Sequence, residues 1–122
     1  MPFVERVIPV LTVKNLKRSR EFYRTTLGFE IEWGGEDEDT ICSVARDGQS
    51  IMLTENPISK DRGCIWIGLE DDSLFKICKD KGVKIILEPR NMPWAYEMKI
   101  EDQDSNVLWL GTEPKKEDPP QT

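Results

Sequence analysis

An internal repeat constrains this 122-residue chain more than any other feature. Residues 7–13 are rich in β-branched residues and nearly continuous in apolar character, which predicts a strand. Asn15 is a helix N-cap candidate ahead of Leu16, Phe22, Tyr23 and Leu27 at roughly helical spacing, and Gly28 ends that helix. Strand character returns over 29–33 and 40–45 on either side of the polar loop Gly34-Gly35-Glu36-Asp37-Glu38-Asp39. The turn Asp47-Gly48 then leads into a strand holding Ile51, Met52 and Leu53. After a linker over 56–63, which includes Pro57 and Gly63, the order recurs. A strand spans 64–69, Asp71 or Asp72 caps a helix carrying Leu74, Phe75 and Cys78, and Gly82 closes it. Strands follow over 83–87, 96–100 and 107–110, the last two joined by Asp104-Ser105-Asn106. The helix-ending glycines Gly28 and Gly82 lie 54 residues apart and the turn aspartates Asp47 and Asp104 lie 57 apart. A duplicated βαβββ module accounts for both offsets.

The length fits one domain, expected over 1–113 with modules at about 5–55 and 63–113. Residues 114–122, rich in Pro and Lys and without an apolar anchor, are expected to form a flexible tail. Nothing approaches the roughly 20 apolar residues of a membrane helix, and the first residues lack the pattern of a signal peptide, so a cytoplasmic protein is expected. The three cysteines Cys42, Cys64 and Cys78 cannot all pair within one chain and form no CxxC, so they are expected to be reduced and buried. Lys17, Arg18, Arg20 and Arg24 fall between the apolar helix positions, as on a solvated face.

The sequence contains no histidine. Imidazole bases, Ser-His-Asp and Cys-His nucleophile systems and the usual zinc, iron and copper sites are thereby excluded. A net charge of −6 repels a phosphate backbone, so nucleic acid is not expected as a partner. The same charge would attract a cationic small molecule, and is also an ordinary solubility device.

The run Ile8-Pro9-Val10-Leu11-Thr12-Val13, the helix Ser19-Arg20-Glu21-Phe22-Tyr23 leading into Leu27-Gly28-Phe29, and Pro93-Trp94 resemble the vicinal-oxygen-chelate (glyoxalase/bleomycin resistance/dioxygenase) superfamily, and within it the bleomycin-binding members. The resemblance covers about residues 5–113. It implies an α+β fold of two βαβββ modules, each curling into half of a mixed-sheet cup with a ligand cleft inside. It also implies a homodimer whose N-terminal strands exchange at Pro9.

Enzymes of that superfamily hold a divalent metal on four strand positions, and the resemblance places Ile8, Met52, Cys64 and Trp109 there. Ile and Trp offer no suitable lone pair, Met only a weak thioether, and one Cys does not make a site. The expectation is therefore no metal, no cofactor and no catalytic residue, with the cup acting as a stacking surface. Trp33, Met52, Cys64, Trp66, Trp94, Tyr96 and Trp109 are the candidate ligand-binding residues, and Trp66 shares a strand face with Cys64 through the two-residue period. The acidic loop 36–39 could draw in a positive ligand, and Met92 could add an adaptable wall. The reading is a protein that sequesters a bleomycin-type or related aromatic, cationic compound. Two alternatives stay open: a metal-independent enzyme using Glu97, Glu101 or Tyr96 as acid or base, and a module that binds another metabolite or a protein partner.

Overall fold

The computed structural model describes residues 2–116; the part of the expected tail at 117–122 lies outside the described residues. The chain divides into two compact units, Met1–Asp61 and Arg62–Thr122, each built by one copy of the repeat.

In the first unit the order is β1 (Val10–Val13), α1 (Leu16–Thr25), β2 (Glu30–Trp33), β3 (Ile41–Arg46) and β4 (Gln49–Glu55). The sheet order is β1-β4-β3-β2, with β1 parallel to β4 and the other pairs antiparallel. Helix α1 starts where Asn15 accepts a hydrogen bond from the Arg18 backbone N–H at 3.0 Å. The Leu16 N–H donates to the Glu55 carboxylate at 2.8 Å, which ties the helix start to the end of β4. Beyond the helix, Gly28 takes φ 76°, a left-handed conformation that costs glycine little, and the chain turns into β2. Leu16, Tyr23 and Leu27 from the helix side close over Leu11, Val13, Cys42, Val44, Ile51 and Leu53, all buried. This is the alternate-residue face of the sheet that α1 covers.

In the second unit the order is β5 (Cys64–Gly68), α2 (Ser73–Asp80), β6 (Lys84–Asn91), β7 (Tyr96–Glu101) and β8 (Val107–Thr112). Its sheet, β5-β8-β7-β6, repeats the first: β5 is parallel to β8 and the rest are antiparallel. Buried Leu74, Phe75 and Cys78 of α2 lie on the face that carries Met98, Ile100, Leu108 and Leu110, and Phe75 stacks on Tyr96 at 5.5 Å. Buried Asn106 closes the turn before β8. It accepts from the Gly63 N–H at 2.7 Å and donates to Asp102 at 3.0 Å.

Each unit is thus a four-stranded mixed sheet with one helix, the expected α+β arrangement. Four local expectations need correction. The first strand begins at Val10 rather than at residue 7, and Phe3, Val4 and Val7 are exposed. The strand expected over 83–87 continues to Asn91, bending at irregularities in its pairing with β7. Cys64 is exposed, because an outward position of β5 carries it; only Cys42 and Cys78 are buried. Arg20 is buried and not on the solvated helix face. Its guanidinium donates to the carbonyl oxygens of Gly34 at 2.7 Å and Glu36 at 3.1 Å, so its charge stitches the loop after β2 onto α1.

Candidate functional site

The face of the second sheet turned away from α2 follows from the pairing. Tyr96, Met98 and Ile100 of β7 point to α2, so Glu97, Lys99 and Glu101 point the other way. Lys99 is the register partner of Trp109, and Trp109 that of Trp66. Three side chains from three strands thereby form one row. The Trp66 and Trp109 rings meet edge to face, 5.3 Å between centroids at 75°, and the Lys99 ammonium lies 4.3 Å from the centroid of the Trp109 ring. Edge-to-face pairs and cations over indoles are each favourable by about 0.5–1.5 kcal/mol, so the row is stable as a unit.

Gly111 makes the row possible. A Cβ at that position would collide with the six-membered ring of Trp66, so the indole lies against bare backbone two residues beyond Trp109. Half of Trp66 stays exposed (50%), which leaves a flat aromatic surface open. Trp109 is more covered. Its indole Nε1 is enclosed and has no hydrogen-bond partner among the described residues.

Gly111 pairs in register with Glu97, whose side chain is almost fully buried. The Glu97 carboxylate accepts from the Trp94 indole N–H at 2.7 Å, and the Arg90 guanidinium lies 3.9 Å away. This bond explains how Trp94 is held although 59% of it is exposed. Further along the same face, Glu101 is paired with Lys84 at 3.2 Å and Arg62 at 3.5 Å.

The face of the first sheet turned away from α1 carries Met52, Ser43 and Ser50, with Met52 opposite Ser43 and Val10. Trp33, at the end of edge strand β2, pairs with Ser43 and is 47% exposed. Ile31 is the register partner of Val44 on the α1 face, so the next residue, Glu32, projects to the opposite face by alternation. There its carboxylate accepts from the Ser43 and Ser50 hydroxyls, both at 2.7 Å. Those bonds, the Ser50 one foremost, hold the Glu32 carboxyl below its ordinary pKa. Pro9 precedes β1, and its carbonyl accepts from the Met52 N–H at 3.0 Å.

Of the candidates, Cys64, Trp66 and Trp109 share one sheet face, and Trp94 joins it through Glu97. Tyr96 does not. It faces α2, stacked on Phe75 with the Lys115 ammonium 4.2 Å from its ring. Trp33 and Met52 belong to the first unit. Met92 is buried. Sequence reasoning missed Lys99, Arg90, Gly111 and Glu32. The alternation Glu97-Met98-Lys99-Ile100-Glu101 did contain the signal for Lys99, and that of Ile31-Glu32 the signal for the face of Glu32, but its serine partners 11 and 18 residues away left no local trace. The four positions implied for a metal do not suit one, since isoleucine, methionine, cysteine and tryptophan are not a divalent-ion donor set. Among the described residues no group of three or more Cys, Asp or Glu side chains is arranged around a common point for a metal ion.

A family model described as glyoxalase/bleomycin resistance protein/dioxygenase superfamily matches residues 6–110. The chain belongs to this superfamily. No curated protein matches it in sequence. Among solved structures, it is similar to a bleomycin resistance determinant encoded on the transposon Tn5, at 19% identity and TM-score 0.75, over 90% of this chain and 98% of that one. It is likewise similar to TnmS3, an antibiotic binding protein from Streptomyces sp. CB03234, at 21% identity and TM-score 0.74, over 92% and 99%. A lactoylglutathione lyase from Agrobacterium tumefaciens matches at 17% identity and TM-score 0.75, over 92% and 96%. At these identities the likeness establishes the fold alone, which an antibiotic binding protein, a resistance determinant and an enzyme share. No helix among the described residues is long and apolar enough to cross a membrane.

Proposed function

We propose that this superfamily member is a small-molecule binding protein that holds a planar aromatic compound by stacking and releases it unaltered, as a means of antibiotic resistance. The observation that carries the reading is the Trp66–Trp109 pair, seated over Gly111 on an open sheet face. A flat ring laid on the exposed indole gains both apolar burial and a ring–ring contact. The donor chemistry at residues 8, 52, 64 and 109 supports binding without metal-assisted turnover. The antibiotic binding protein and the bleomycin resistance determinant among the neighbours favour a drug-like ligand over a metabolite. In its most specific form the ligand is a bleomycin-type compound, bound by a homodimer in the cytoplasm, with residues 1–113 acting as one domain. Exposed Phe3, Val4 and Val7 ahead of Pro9 support an arm that finds its partner on a second chain.

Titration with bleomycin and with other planar antibiotics, followed by tryptophan emission and by calorimetry, tests this reading. Saturable quenching, with the ligand recovered intact by mass spectrometry, is expected. Unchanged emission across the panel up to the millimolar range would remove the reading, and altered ligand would replace it with catalysis. Sedimentation of the full chain tests the dimer.

A further inference from the structure

The charges around the aromatic row are not those that the whole-chain value suggests. On this face Lys84, Arg90 and Lys99 stand on the strands with Glu97 and Glu101, and Arg62 reaches Glu101 from the start of the unit. Glu101 is shared between Arg62 and Lys84, and Glu97 has Arg90 and the Trp94 N–H. Both carboxylates are therefore engaged. Lys99 has no carboxylate partner among the described residues; its ammonium rests only on the Trp109 ring. The N–H of that same indole is enclosed and has no acceptor among the described residues. A buried donor without an acceptor is rare, because it forfeits its hydrogen bond to water and gains none in return. The row thus combines an aromatic floor with one charged donor, while the carboxylates on the same face already have cationic partners.

We infer that the ligand of this face is an aromatic anion: a planar ring system bearing a carboxylate or phenolate oxygen, the ring stacked on Trp66 and the oxygen seated on the Lys99 ammonium. This rests on the aromatic-binding reading above and replaces its bleomycin-type form, whose ligand is the cation that the net charge of −6 suggested. The net charge acts at long range, where salt screens it within about 10 Å. Contact with Lys99 acts at the half-buried row, where screening is weak. The Lys99–Trp109 contact would then hold the ammonium in place for the oxygen, a ready-made charge-assisted donor.

The test uses three probes with one ring system: 2-naphthoate, 2-naphthalenemethanol and 2-naphthylmethylammonium. Each is titrated into the full chain at fixed ionic strength and followed by the indole N–H resonances, with Trp109→Phe assigning the Trp109 signal. The expected result is that 2-naphthoate binds roughly tenfold more tightly than the alcohol, and the alcohol more tightly than the ammonium. In Lys99→Met, which keeps the apolar stem, the three affinities should converge while all three still shift the Trp66 signal. Equal affinities in the unmodified protein, or a preference for the ammonium, would overturn the anion inference and leave aromatic binding intact. If none of the probes moves any indole signal at millimolar concentration, both the inference and the binding reading fall. A naphthoate preference that survives Lys99→Met would also overturn the assignment, because Lys99 would then not be the anchor.

Discussion

Replacing Gly111 with alanine tests whether the aromatic row is built as described. The added Cβ would stand 2.5 Å from Trp66 Cζ2 and 3.0 Å from Cζ3, and closer still to Cη2. Carbon atoms pack best at about 3.5–4.0 Å, so the indole must shift by roughly an ångström or more. Overpacking of this kind costs about 1–3 kcal/mol, and dissolving the Trp66–Trp109 contact about 0.5–1.5 kcal/mol. Because Trp66 is half exposed it can swing outward, so the net loss should lie near the lower end, about 1–2 kcal/mol. The sign should reverse once the indole is gone. Gly111 has no positive φ, and alanine in a strand is favoured over glycine by roughly 0.5–1 kcal/mol. In a Trp66→Ala background, Gly111→Ala should therefore be neutral or stabilising. Urea denaturation of the four proteins in the cycle measures this, with m compared first to confirm that the denatured state is unchanged. The coupling should be about 2 kcal/mol. A coupling below about 0.5 kcal/mol would show that Trp66 is not what requires glycine at 111, and the geometry of the row would be refuted.

Four further outcomes follow from the same structure. Iodoacetamide at mildly alkaline pH should label Cys64 quickly and Cys42 and Cys78 only on unfolding, since burial pushes both buried thiols up, Cys78 to about 11; peptide mapping reads this out. Because the folded Cys78 pKa lies above the ordinary thiol value of 9.0, its contribution to stability is complete below pH 9 and is lost as pH rises from there through 11, more weakly so in Cys78→Ala. Arg20→Met should lower stability by about 2–3 kcal/mol, because two charged donations to the carbonyls of Gly34 and Glu36 vanish in a buried place; thermal unfolding checks it. The Glu32 carboxyl should titrate below its ordinary range by NMR and move back toward it in Ser50→Ala, more than in Ser43→Ala, and any stability it contributes should fade as pH drops through that lowered value.

Much of the fold was legible in the sequence because its signals are local. Asn15 and Gly28 bracket α1, Gly82 follows α2, and the two-residue alternation of Tyr96 to Glu101 sorts one face of β7 from the other. The site was legible only as a set of aromatic residues. Trp66 and Trp109 were named and do meet, whereas Tyr96 fell on the opposite face through the same alternation that could have excluded it. Arg20 was misjudged because a helical repeat marks where a side chain points, and its partners are carbonyls 14 and 16 residues away.

The sequence by itself determined the duplicated βαβββ order, the helix limits and, through the missing histidine, the kinds of chemistry open to the chain. Those properties depend on residue type and on spacing over a few positions. The tertiary structure alone decided that Trp66 lies across Gly111, that Lys99 is left with an indole instead of a carboxylate, and that Glu32 turns onto two serine hydroxyls. Each of these depends on strand register. Register is fixed by the sum of contacts across a whole sheet, many of them between residues ten or more positions apart, and no single stretch of sequence contains that sum.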